Sequence, residues 1–224
     1  DTERAPEAPT TPPGQGAGLQ VGSVAPAFEA RSTQGVVRLA DFRGRWVLFF
    51  SHPADFTPVC TSEFVAIQRR LAAFEACGCA LLGLSVDSLY AHLAWIRDIE
   101  GRFGERITFP ILEDISMAIA RAYGMVAPDA GSTAAVRSVF FIDPDGIIRA
   151  VIHYPASVGR SVDELLRVLR ALQTAHDHAV NTPEGWQPGE GTLLPPPADQ
   201  SEADRRAARH DGNWYFTPYT EDDS

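Results

Sequence analysis

The chain has 224 residues, 45% of them apolar, and a formal charge of -10. That length fits one domain with extensions, and the apolar share is enough for a sizeable core. The acidic balance argues against a nucleic-acid backbone as partner, and no run approaches the roughly 20 apolar residues that cross a bilayer.

Residues 1 to 18, with four prolines and no apolar block, read as a disordered tail and not as a secretory signal. The stretch FEARSTQGVVRL predicts two short strands around a glycine turn. Trp46 to Ser51, WVLFFS, is a continuous apolar run, as in a strand buried on both faces. Pro53 and Pro58 then force an irregular loop. From about Pro58 the period becomes helical, with Phe64, Ile67, Leu71 and Phe74 on one face and Gly78 as the stop. CALLGLSVD is a second buried strand, and SLYAHLAWIRDIEGRFG a helix with Ser88 as its cap.

ITFPILED is extended, with Pro110 marking an edge or a bend. ISMAIARAYGM reads as a short helix, and RSVFFIDPDGIIRAVIHYP as a hairpin turning at Pro144-Asp145-Gly146. SVDELLRVLRALQTAHDHA is an amphipathic helix opened by Ser161, with Glu164 completing a capping box. After Asn181 the chain becomes rich in proline and glycine. Trp186, Leu193, Leu194 and the aromatic run NWYFTPY suit an arm docked on another surface better than a solvated tail. The alternation of strands and helices gives an α/β layered domain over residues 19 to 180, with 181 to 224 as a C-terminal arm.

Three cysteines, Cys60, Cys77 and Cys79, are too few and too irregular for a disulfide framework. They suit free thiols in a reducing, cytoplasmic compartment. Cys60 stands in the first turn of a helix, where unpaired N–H groups and the helix dipole favour thiolate over thiol. The bland alternative, an inert buried thiol, sits poorly with the polar, turn-rich surroundings of Pro53, Asp55, Thr57, Pro58 and Thr61.

Pro53, Thr57 and Cys60 match the signature Pro-x-x-x-Thr-x-x-Cys, and HPADFTPVC resembles the one-cysteine, peroxiredoxin-six-like branch of the peroxiredoxin family. The resemblance continues through LGLSVDSLYAHLAW, RSVFFIDPDGIIR, YPASVGRSVDELLRVLRALQ and PEGWQPGE, and covers roughly residues 20 to 216. It implies a thioredoxin-like fold, a central mixed sheet flanked by helices with a C-terminal extension. It also implies a thiol-dependent peroxidase for hydrogen peroxide and small organic hydroperoxides. Cys60 would be the nucleophile that becomes sulfenic acid. Thr57 would hydrogen-bond the thiolate and the peroxide, Pro53 would shield the thiol, and Arg137 would lie beside it. Glu63, His52 and Arg160 are supporting candidates: Glu63 to hold the Arg137 fork, His52 to bond near the thiolate, Arg160 as a second arginine near the site.

Relatives often carry a resolving cysteine. Here the position five residues on is Val65, and the tail has none. Cys60 and Cys77 at opposite ends of one helix would be roughly 25 Å apart, against the ~7 Å a disulfide allows. The expectation is a one-cysteine cycle with an external thiol reductant, of glutathione or thioredoxin type, in a homodimer or higher homo-oligomer. A peroxide sensor or holdase-type assembly is the alternative. Thiol–disulfide exchange would need Cys-x-x-Cys, but Thr61, Ser62 and Glu63 follow Cys60. Ser32 lacks the flanking glycines of the lipase-like element found in some of this branch. Neither Cys77-x-Cys79 nor His176-x-His178 has zinc spacing, and no glycine-rich phosphate loop appears, so no metal or cofactor is implied.

Overall fold

The computed structural model describes residues 19–126 and 133–220. The tail read at residues 1 to 18 lies outside them.

Seven strands form one mixed sheet in the order β2-β1-β5-β4-β3-β6-β7. β1 (Glu29–Ser32) and β2 (Gly35–Arg38) make the expected antiparallel pair. β3 (Trp46–Ser51) lies at the centre, parallel to β4 (Cys79–Ser85) and antiparallel to β6 (Arg137–Ile142). β6 and β7 (Ile148–Tyr154) are the expected hairpin. β5 (Ile111–Glu113) runs parallel to β4 and also pairs with β1, so it is an interior strand. Pro110 therefore marks a bend and no edge: it stands just before β5, where it needs no N–H, and its carbonyl accepts from Gly83.

Strand side chains alternate between two core layers. Trp46, Leu48 and Phe50 of β3 face α1 (Pro58–Ala76), α2 (Leu89–Phe103) and α4 (Val162–His178). Val47 and Phe49 face α3 (Ala118–Ala122) and the N-terminal segment. This two-sided burial is why β3 reads as an unbroken apolar run. On α1 the residues Phe64, Ile67 and Phe74 are buried as their spacing predicts, and Gly78 takes φ +63°, the left-handed turn that carries the chain into β4. Ser88 accepts from the Ala91 N–H at the start of α2.

Two expectations need correction. Ser161 does cap α4, accepting from Glu164 N–H, but the Glu164 carboxylate turns to Arg167 at 2.7 and 2.8 Å, so the reciprocal half of the box is not made. The arm also contains a helix, α5 (Gln200–Arg209), whose Asp199 cap accepts from Glu202 N–H. Part of the arm docks on its own chain. Trp186 is buried, its carbonyl accepts from Arg167, and Leu193 bridges Asn181 to Pro218. Trp214, Tyr215 and Phe216 stay exposed.

Candidate active site

The site forms where β3 ends, α1 begins and β6 starts. β3 delivers Ser51 and His52, and a loop of five residues then leads to Pro58, which occupies the first turn of α1 at no cost because its N–H would be unpaired there. Cys60 falls in that same turn. Phe56, in the loop, adopts φ +55°, an unfavourable backbone for a side chain of its size. β6 lies beside β3, so its first residue, Arg137, arrives next to Cys60.

The Arg137 guanidinium makes four contacts. Nη1 donates to Cys60 Sγ at 3.3 Å and to Glu63 Oε2 at 2.7 Å. Nε and Nη2 donate to the carbonyl of Ala156 at 3.0 and 2.8 Å. Glu63 lies almost one helical turn beyond Cys60 and is shared by a second arginine. Arg160 donates to it from its backbone N (2.7 Å), Nε (2.8 Å) and Nη2 (2.8 Å). Arg160 Nη1 reaches the carbonyls of Ser51 and Ser138 at 2.9 and 3.0 Å, and its guanidinium carbon sits 5.4 Å from the centre of the Phe50 ring. All three charged side chains are buried. Burial works against ionisation of Glu63, but the hydrogen bonds and charge of Arg160, followed by the charge of Arg137, outweigh it and hold the carboxyl below its usual range.

The fold brings Cys60, Glu63, Arg137 and Arg160 into one cluster. Thr57 caps α1 through its backbone: its carbonyl accepts from the Thr61 N–H, while its hydroxyl donates to Ala54 O at 2.8 Å. That hydroxyl is left with lone pairs, and no donor, to offer a neighbour. Pro53 forms the half-buried bend at the head of the loop. His52 departs from expectation. Its Nε2 faces Asp55 Oδ1 at 2.8 Å, and its Nδ1 has no partner among the described residues. Burial pushes its imidazole down despite the neighbouring Asp55. Cys60 itself is fully covered, where the polar loop had suggested an open thiol. Gly159 helps to cover the helix start: a Cβ there would approach Val59 to 3.3 Å.

Sequence reasoning missed a second buried network behind the loop. Asp55 accepts from both His52 and His92, and its own N–H donates to Asp87 Oδ2 at 3.0 Å. His52, Asp55 and Asp87 bring donor atoms within 4.8 Å of one another. These atoms are committed to each other and to Ser85, so they make a hydrogen-bond network and not a metal cage. The signal was in α2, where His92 shares a helical face with buried Trp95 and Ile99. A histidine on an apolar face needs a buried partner.

A layered mixed sheet presenting one covered thiol at a helix start, against a locked arginine, defines a thiol-based oxidoreductase of thioredoxin-like architecture. The comparisons agree. The model of the AhpC/TSA family matches residues 21–151, more than half of the chain, and that of the C-terminal domain of 1-Cys peroxiredoxin matches residues 171–208. The chain therefore belongs to the peroxiredoxin family and is a thiol peroxidase. It is 46% identical over 198 residues to peroxiredoxin 2 of Picrophilus torridus, covering 88% of this chain and 98% of that protein. To peroxiredoxin 2 of Thermoplasma acidophilum it is 51% identical over 170 residues, 76% of this chain and 84% of the relative. Among solved structures, a yeast mitochondrial 1-Cys peroxiredoxin superposes with a TM-score of 0.79 at 38% identity, covering 90% of this chain and all of that one. Peroxiredoxin 6 of Arenicola marina gives 0.79 at 35% identity, covering 91% and 100%.

Proposed function

We propose that Cys60 is the peroxidatic nucleophile of a one-cysteine cycle, reducing hydrogen peroxide and small organic hydroperoxides at the expense of an external thiol. The observation that carries this is the 3.3 Å contact from Arg137 Nη1 to Cys60 Sγ, made by a guanidinium that Glu63 and the Ala156 carbonyl hold in place. The thiolate attacks one peroxide oxygen, the O–O bond breaks, and the departing oxygen leaves as water or alcohol after taking up a proton. A cation fixed beside the sulfur stabilises the charge passing through that transition state without reorganising. Pro53 and Thr57 shape the loop over the thiol.

Two features support an external reductant. Cys77 is at the far end of α1 from Cys60, roughly 25 Å away along the helix. Cys79 is buried in β4, and burial pushes its thiol up to about 12, so it stays a protonated, poor nucleophile. The yeast relative was solved to explain thiol resolution by glutathione and thioredoxin systems, which makes these the two reductants to try. The exposed Trp214, Tyr215 and Phe216 support an arm that completes a homodimer.

Intact mass after one equivalent of peroxide tests the cycle. A single oxygen should be added at Cys60 and removed by glutathione or reduced thioredoxin. An intrachain disulfide between Cys60 and Cys77 or Cys79 would overturn it.

A further inference from the structure

The geometry of the network behind the loop constrains where its protons can sit. His92 Nε2 lies 3.2 Å from the carbonyl of Leu112, and its Nδ1 lies 2.7 Å from Asp55 Oδ2. A carbonyl oxygen only accepts, so Nε2 bears a hydrogen. With Asp55 ionised, its carboxylate also only accepts, and Nδ1 then bears one too: the geometry suits an imidazolium at His92. The same count gives His52 a single hydrogen, on Nε2 toward Asp55 Oδ1, because its Nδ1 has no partner among the described residues. Burial opposes the charge on Asp55, but the hydrogen bonds from His52 and His92 outweigh it and keep the carboxyl below its usual range.

The surroundings suit one cation at His92. Asp55 faces it from the loop before α1 and Asp87 stands behind Asp55 in the loop after β4, where it accepts from Asp55 N–H and from Ser85 Oγ at 2.7 Å. Glu113 of β5 is the other nearby carboxylate, and it is engaged by Leu89 N–H and Arg31. His52 is the neighbouring titratable ring among the described residues, its centre 6.2 Å from that of His92. His92 belongs to α2, Leu112 to β5 and Asp55 to the loop between Pro53 and Thr57, so one imidazolium ties three elements together.

We propose that His92 is a positioning residue for the peroxidase loop: its second proton latches Asp55, and with it residues 53 to 57, against α2 and β5, and Cys60 reacts with peroxide fastest while that latch is closed. Loss of the proton would set a lone pair against a buried carboxylate and release the loop. The effect on rate rests on Cys60 being the nucleophile. The protonation of His92 does not, so the two can fail separately.

The test uses the full-length protein labelled with 15N-histidine. At neutral pH the His92 ring, assigned in the wild type through bonds from its own backbone amide with added 13C labelling, should show both nitrogens protonated. His92→Gln should slow peroxide oxidation on the order of 10²-fold, the usual cost of a reacting group set out of line. Asp55→Asn is the informative partner. Its amide can accept from His52 and donate to Nδ1 of a neutral His92, rebuilding the latch without the cation. In that variant His92 should bear one ring proton, and oxidation should run about tenfold or more faster than in His92→Gln. A singly protonated His92 in the wild type overturns the proposal, whether or not His92→Gln folds. So does an Asp55→Asn rate as low as that of His92→Gln.

Discussion

Replacing Arg137 by lysine separates the charge beside Cys60 from the geometry that delivers it. The guanidinium reaches Sγ at 3.3 Å because its remaining bonds fix it: Nη1 also donates to Glu63 at 2.7 Å, and Nε and Nη2 donate to the Ala156 carbonyl at 3.0 and 2.8 Å. A lysine ammonium is a point charge on a flexible stem. It would settle on Glu63, its strongest partner, and give up the carbonyl and the sulfur. A hydrogen bond to a charged group is worth about 1.5–3 kcal/mol. At 1.36 kcal/mol per factor of ten, Arg137→Lys should oxidise on the order of 10–10² times more slowly. Arg137→Ala, which also removes the charge, should lose about 10²–10³. Stopped-flow fluorescence reads this directly, since Trp95 Nε1 donates to Thr61 Oγ1 at 3.2 Å, one residue from Cys60. The second-order rate constant with hydrogen peroxide is the quantity to compare. A lysine variant at the wild-type rate would show that the fork is irrelevant, and an alanine variant at that rate would remove Arg137 from the chemistry.

Three further outcomes are expected. Under native conditions iodoacetamide should label the half-exposed Cys77 but spare Cys79, whose thiol is held up at about 12, until the chain is unfolded; native labelling of Cys79 would contradict its burial. Glu63→Gln leaves two buried guanidiniums without their counter-charge and should cost about 3–5 kcal/mol in urea melts at neutral pH. Because the folded-state value of Glu63 lies below its ordinary 4.5, this stability is complete above that pH and is lost as pH falls through the folded value; the gap between variant and wild type should close in acid, and a gap independent of pH would refute the assignment. Replacing Trp214, Tyr215 and Phe216 together by serine should lower the sedimentation mass toward that of a monomer without changing the melting of the main domain, and an unaltered mass would clear the arm of a role in assembly.

Much of this protein could be read locally. The apolar run Trp46–Ser51, the helical period after Pro58, the caps at Ser88 and Ser161 and the turn at Gly78 depend on neighbours in the chain, so β3, α1, α2 and α4 stood at their expected places. The signature around Cys60 marked the thiol and, through the resemblance, Arg137, Glu63 and Arg160. The helix α5 was hidden because its surroundings are rich in proline and its own residues are mostly polar or charged, which leaves little apolar period to see.

Local sequence dictates which residues turn, cap and alternate, and it puts a thiol at a helix start. The partners of that thiol come from packing. Arg137 is 77 residues from Cys60, and Arg160 is 97 from Glu63; they meet because β6 lies against β3 and the loop after β7 folds back over α1. The burial of Cys60 and the turn of His52 away from it toward Asp55 and His92 were settled the same way. Backbone propensity acts over a few residues, whereas a buried charge takes its partner from whichever element the packed sheet brings within reach.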